Sequence, residues 1–82
     1  MRTSDEVIRI IKTMRKQRKI SIDELAKEVG ISKSTLSRYE NGQREFPIND
    51  IGKYAKALNT TIEFLLGIGE GKNQFSVSEY DY

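Results

Sequence analysis

The chain has 82 residues, room for one domain, and contains neither cysteine nor histidine. Disulfides, the usual zinc sites and the commonest general base are excluded together, and nothing present would activate a serine or carboxylate, so neither an enzyme nor a metal or other cofactor is expected. The net charge of +2 conceals an asymmetry: residues 1–45 hold 11 Lys+Arg against 7 Asp+Glu, whereas residues 46–82 hold 3 against 5. The basic half suits a phosphate-bearing partner and leaves the acidic half for other contacts.

The first predicted helix covers about 4–18, where Val7, Ile10, Ile11 and Met14 recur on one helical face. Thr3 or Ser4 is its cap, and Asp5 and Glu6 suit the positive end of its dipole. Residues 9–19 carry six basic groups and no acidic one, a run that by itself describes a solvated helix face. The second helix opens at Ser21, with Glu24 three residues on to complete a capping box and Ile20 with Leu25 as a hydrophobic staple. Leu25, Ala26 and Val29 form its buried face, and Gly30 ends it. Ser32 caps the third helix, stapled by Ile31 and Leu36. Leu36 and Tyr39 face inward, and Asn41-Gly42 closes the helix.

Pro47 suits the first turn of a fourth helix, in which Ile48, Ile51, Ala55 and Leu58 keep helical spacing. Gly52 weakens that helix by about 1 kcal/mol relative to alanine, which points to a close packing contact there. Thr60 or Thr61 caps a last short helix, residues 62–66, ended by Gly67. Residues 68–82 lose the helical period, although 75–80 alternate like a strand; this segment reads as a tail or linker. No stretch approaches the roughly 18 apolar residues of a membrane span, and no signal peptide or lipidation motif is visible, so no membrane association is expected and the cytoplasm is the default compartment.

The second helix, the Gly30 turn and the third helix form one constrained unit. Ala26 allows the two helices to approach, Gly30 takes a positive backbone angle, and Val29, Ile31 and Leu36 fill a crevice between helices crossing at about 90–120°. The outward face of the third helix then presents Lys33, Ser34, Thr35, Ser37, Arg38 and Asn41. All are polar and none is acidic. Short donors allow a helix to sink into a DNA major groove, while Lys33 and Arg38 reach guanine or phosphate; the alternative is an ordinary solvated helix.

Residues 21–42 (SIDELAKEVGISKSTLSRYENG) resemble the Cro/repressor-type (XRE-type) helix-turn-helix family, and the resemblance continues more loosely through 55–58 (AKAL) and 62–67 (IEFLLG), covering about 1–67. It implies an all-α, five-helix lambda-repressor-like DNA-binding domain over 1–67, with the helix-turn-helix at helices 2 and 3 and a tail or linker over 68–82. It places Lys33, Ser34, Ser37 and Arg38 toward bases or nearby phosphates, and Thr35, on the same outward face, is counted with them as DNA-binding. Asn41 matches a position that clamps the backbone, Arg44 lies in a loop that touches phosphate, and Ser32 offers its backbone N–H to a phosphate oxygen. Dimer contacts in the family lie near the fifth helix, which nominates Ile62, Phe64 and Leu65.

The pattern also departs from the family. Members often carry a phosphate-holding glutamine where this chain has Ile22, which leaves Ser21 or the basic cluster at 15–19 as substitutes. The proline opening the fourth helix is displaced by one residue, so the 43–47 loop differs in shape. Tyr39 and Tyr54 read as core rather than as stacking platforms, and Phe64 as either core or an exposed anchor between subunits. The function implied is a sequence-specific transcriptional regulator, a phage-type repressor binding a palindromic operator in double-stranded DNA as a homodimer. The runner-up is an antitoxin or restriction-control regulator that also binds a protein through its tail or its acidic half. A protein-interaction module that has lost DNA binding is a third reading, opposed by the basic recognition face.

Overall fold

In the computed structural model, which describes residues 2–68, the chain forms five α-helices and one short 3-10 turn. The strand-like alternation at 75–80 and nearly all of the expected tail lie outside the described residues. Thr3 opens α1 (Ser4–Gln17): its hydroxyl accepts the Glu6 N–H at 3.2 Å, and the Glu6 carboxylate accepts the Thr3 N–H at 2.8 Å. Ser21 and Glu24 repeat that reciprocal arrangement at the start of α2 (Ile22–Val29), at 3.0 and 2.8 Å. Ser32 caps α3 (Lys33–Glu40) by accepting the Thr35 N–H at 3.1 Å. Thr61, rather than Thr60, caps α5 (Ile62–Leu66) through the Phe64 N–H at 3.0 Å. Each cap satisfies a backbone donor that has no partner inside its helix.

All five helices also end alike. The residue after each terminal turn adopts a positive φ, and two N–H groups fold back onto carbonyls of the last turn, the Schellman arrangement. Gly30, Gly42 and Gly67 fill that position for α2, α3 and α5, whereas Lys19 (φ 57°) and Asn59 (φ 55°) fill it for α1 and for α4 (Ile51–Ala57).

The fourth helix differs from the sequence expectation. Pro47 stands at ψ 100°, outside helical space, and its carbonyl accepts the Asp50 N–H in a 3-10 turn over Ile48–Asp50, so α4 proper begins only at Ile51. The loop that precedes it sends Phe46 into the core, where it is 2% exposed. Its ring meets Tyr39 edge-on at 6.0 Å and Tyr54 at 4.9 Å, geometries that the ring quadrupoles favour. Tyr54 is fully buried, and loss of solvent pushes its phenol far above the ordinary range, with Tyr39, Asp50 and Glu40 adding to the rise. It is a neutral core residue. Tyr39 sits half-buried at the core's margin.

Val7, Ile8, Ile11 and Met14 from α1, Leu25, Ala26 and Val29 from α2, and Leu36 from α3 make the remaining core with Ile51, Ala55, Leu58 and Leu65. Ile8 takes the buried place expected of Ile10, which is only half-buried. α2 packs on both α3 and α4, α1 on α3 and α5, and α4 on α5. The expected tight contact at Gly52 is not found: a Cβ added there would stand 3.6 Å from Ile62 Cδ1, an ordinary van der Waals distance.

Candidate nucleic-acid interface

Leu36 is the fully buried core residue of α3, with Tyr39 half-buried and the Glu40 side chain 3% exposed beside it, so the helix is anchored along one side and open on the other. Lys33, Ser34 and Arg38 are exposed, as are Ser32 before the helix and Asn41 and Arg44 after it; Thr35 and Ser37 are half-buried. Ser34, Arg38 and Asn41 follow one another at spacings of four and three, which stacks them along one face. The shorter side chains are already ordered. The Ser32 hydroxyl donates to Thr35 Oγ1 at 2.7 Å and lies 3.3 Å from Ser34 Oγ, and the Asn41 amide donates to Ser37 Oγ at 3.3 Å.

The charged groups of this face are held differently. Among the described residues the two salt bridges are Arg15–Glu40 and Asp50–Lys53, so Lys33, Arg38 and Arg44 carry no internal ion pair. Nor does the first turn of α3 hold an acidic residue. Its positive dipole end is therefore left uncompensated, an arrangement that favours an incoming anion.

The one carboxylate on α3 belongs to Glu40, and it is withdrawn from the surface. Its side chain is 3% exposed and takes both nitrogens of a forked contact from Arg15, Nε at 2.9 Å and Nη2 at 3.0 Å. Arg15 Nη1 also donates to the Ile20 carbonyl at 2.9 Å. One guanidinium thus ties the end of α1, the turn into α2 and the end of α3. This corrects the expectation that Arg15 belongs to a phosphate-binding cluster: its side chain is 11% exposed and fully engaged. A signal existed in the sequence, because Arg15 stands four residues after Ile11 and seven after Ile8, on the buried side of α1.

Other substitutes for the missing glutamine fare unequally. Ile22 packs half-buried against the core, and the Ser21 hydroxyl and N–H are both committed to the capping box. Lys16, Arg18 and Lys19 remain exposed and without ion pairs among the described residues.

Of the residues nominated for subunit contact, Ile62 and Phe64 are 42% and 43% exposed, but Leu65 is fully buried. Leu65 has no surface to offer and serves the core. At about 100° per residue, Ile62 and Phe64 stand about 200° apart and flank Leu65 on opposite sides of α5. The other exposed large apolar residue among the described residues is Ile68. No helix among the described residues is long and apolar enough to cross a membrane.

Comparison with known proteins agrees with this geometry. The helix-turn-helix family model HTH_3 matches residues 11–65. YobD of Bacillus subtilis (strain 168), described as an uncharacterized HTH-type transcriptional regulator, is 26% identical over 58 residues, covering 71% of this chain; the chain spans 52% of that curated relative. SinR, the master regulator for biofilm formation, solved in complex with DNA, superposes with a TM-score of 0.64 at 33% identity over 73% of this chain and 97% of its own. SinR from Bacillus subtilis is also solved with SinI, and that structure aligns at 28% identity and a TM-score of 0.64 over 84% of this chain and 68% of its own. The P22 c2 repressor protein in complex with a synthetic operator aligns at 27% identity and a TM-score of 0.63, covering 80% of this chain and 96% of its own. With the family model matched over most of the chain, this chain belongs to the helix-turn-helix family of DNA-binding transcription regulators.

Proposed function

We propose that this chain is a non-enzymatic, sequence-specific repressor that acts in the cytoplasm and binds a palindromic operator as a homodimer, with α3 in the major groove. Residues 1–67 serve as the DNA-binding domain and 68–82 as a tail or linker. The observation that carries the reading is the outer face of α3, where the cations are unpaired and the only carboxylate is sequestered by Arg15. Arg38 and Lys33 address base edges, Ser34, Thr35 and Ser37 allow close approach, and Asn41, Arg44 and the Ser32 backbone hold phosphates and fix the register. One such helix spans only a few base pairs, so specificity requires two copies on half-sites about one helical turn apart. Ile62 and Phe64 supply exposed apolar surface for that pairing, with Leu65 supporting them from the core. The likeness to the P22 c2 repressor protein, solved with a synthetic operator, supports repression.

Selection of bound duplexes from a random DNA pool tests the reading. The expected product is a motif with two-fold symmetry. Recovery of no motif, with all binding lost as salt rises, would reduce the activity to non-specific phosphate attraction. Arg38→Ala is expected to weaken binding to the selected site by about 1–3 kcal/mol while leaving non-specific DNA nearly unaffected. Equal losses on both would assign Arg38 to phosphate. The SinR structure with SinI supports a second reading, in which the chain is an antitoxin or restriction-control regulator that also takes a protein partner through its tail. A stoichiometric heterologous protein co-purifying with the full chain, and lost on removal of residues 69–82, would favour it.

A further inference from the structure

α5 has five residues, too few to hold a helix in water unaided. Beyond its local Gly67 cap, its C-terminal carbonyls are gathered by a residue from the opposite end of the chain. The Arg2 N–H donates to the Leu66 carbonyl at 2.7 Å. The Arg2 guanidinium donates through Nη1 to the Phe64 carbonyl, and to the Leu65 carbonyl at 3.4 Å. Those three carbonyls form the negative end of the helix dipole, where a cation is favoured. The same guanidinium stands 5.8 Å from the centre of the Phe64 ring, within reach of a cation–π attraction. Gly67 completes the fit, since a Cβ there would come within 2.9 Å of Arg2 Nη1.

We propose that Arg2 is a positioning residue for self-association: it sets the Phe64 ring and the end of α5 in the orientation that a second copy of this chain recognises. This rests on the homodimer reading above. The ring beneath the guanidinium and Ile68, just past the α5 terminus, are two of the three exposed large apolar side chains among the described residues. Arg2 is therefore attached to the surface that the dimer reading requires, and it adds a long-range cap to the local one that the Gly67 and Ile68 N–H groups supply. The same contacts remove Arg2 from the phosphate-binding cations, because its donors are directed at α5.

The test is sedimentation equilibrium of the full chain as wild type, Arg2→Ala, Arg2→Lys and Phe64→Ala, with binding to a single half-site duplex recovered from the selection as control. Arg2→Ala is expected to weaken self-association about tenfold or more with half-site affinity and helicity unchanged. Arg2→Lys should fall between, since an ammonium caps carbonyls but lacks the planar face that stacks on a ring. A dimer constant unaltered by Arg2→Ala, but weakened by Phe64→Ala, would overturn the role of Arg2 and leave the dimer reading intact. Dimers indifferent to both variants, or a wild type with a dissociation constant weaker than about 1 mM, would overturn the α5 dimer itself. Parallel loss of half-site binding in Arg2→Ala would show a supporting role for the whole domain instead, and would equally refute the proposal.

Discussion

Gly52 makes no conformational demand on its helix. Its φ lies outside the left-handed region, and the space beside it ends at Ile62 Cδ1, 3.6 Å from where a Cβ would stand. Alanine there gains helix propensity worth about 1 kcal/mol and reduces the freedom of the unfolded chain. Gly52→Ala is accordingly expected to raise the melting temperature by about 4–8 °C for a domain of this size. A lower melting temperature would mean that the added methyl displaces α5. Phe46 shows the converse: placed in a loop with no periodic neighbours, it carries no pattern that marks it as core, yet it is the ring on which Tyr39 and Tyr54 both pack. Only the folded loop reveals its partners.

The helices are bounded by side-chain and backbone devices that lie within a few residues of each terminus. Two of these devices titrate. The Glu6 and Glu24 carboxyls are held below their ordinary value of 4.5, first by the backbone N–H groups of Thr3 and Ser21 and then by the hydroxyls of the same residues. A carboxyl whose pKa is depressed on folding adds stability above its unfolded value, and that stability is lost as pH falls through the folded value. The denaturation midpoint should therefore decline below about pH 4.5, and the double variant Glu6→Gln, Glu24→Gln should show a flatter acid limb, because glutamine caps without titrating. An acid limb of undiminished slope would place the responsible carboxyls elsewhere. The C-termini were legible where glycine marks them, at Gly30, Gly42 and Gly67. Lys19 and Asn59 adopt the same left-handed conformation; Lys19 does so without a compositional signal, closing α1 through its own N–H and that of Ile20.

At the scale of the whole molecule, the bridge from Arg15 to Glu40 links three elements and leaves the outer face of α3 without an exposed carboxylate. Both side chains are largely buried, so removing one strands the other. Glu40→Ala is expected to destabilise the domain by about 3–5 kcal/mol, whereas the double replacement Arg15→Met, Glu40→Leu should recover much of that loss, because apolar residues of similar volume often replace a buried pair at little cost. Equilibrium denaturation of both variants checks this. A loss below about 1 kcal/mol in Glu40→Ala would mark the pair as an ordinary surface bridge.

The sequence by itself determined the order of the helices, most of their caps, the helix-turn-helix and the list of polar residues on α3. These are local properties, expressed as spacings of three and four residues and as capping chemistry at the termini. Tertiary structure alone decided that Arg15 faces Glu40 across 25 positions, that Phe46 leaves its loop for the core, that Leu65 is core while Phe64 is surface, and that Arg2 caps a helix more than 60 residues away. Each depends on two segments meeting at a distance along the chain. Helical periodicity carries no information about which distant segment that will be, and the choice falls to packing of the whole core.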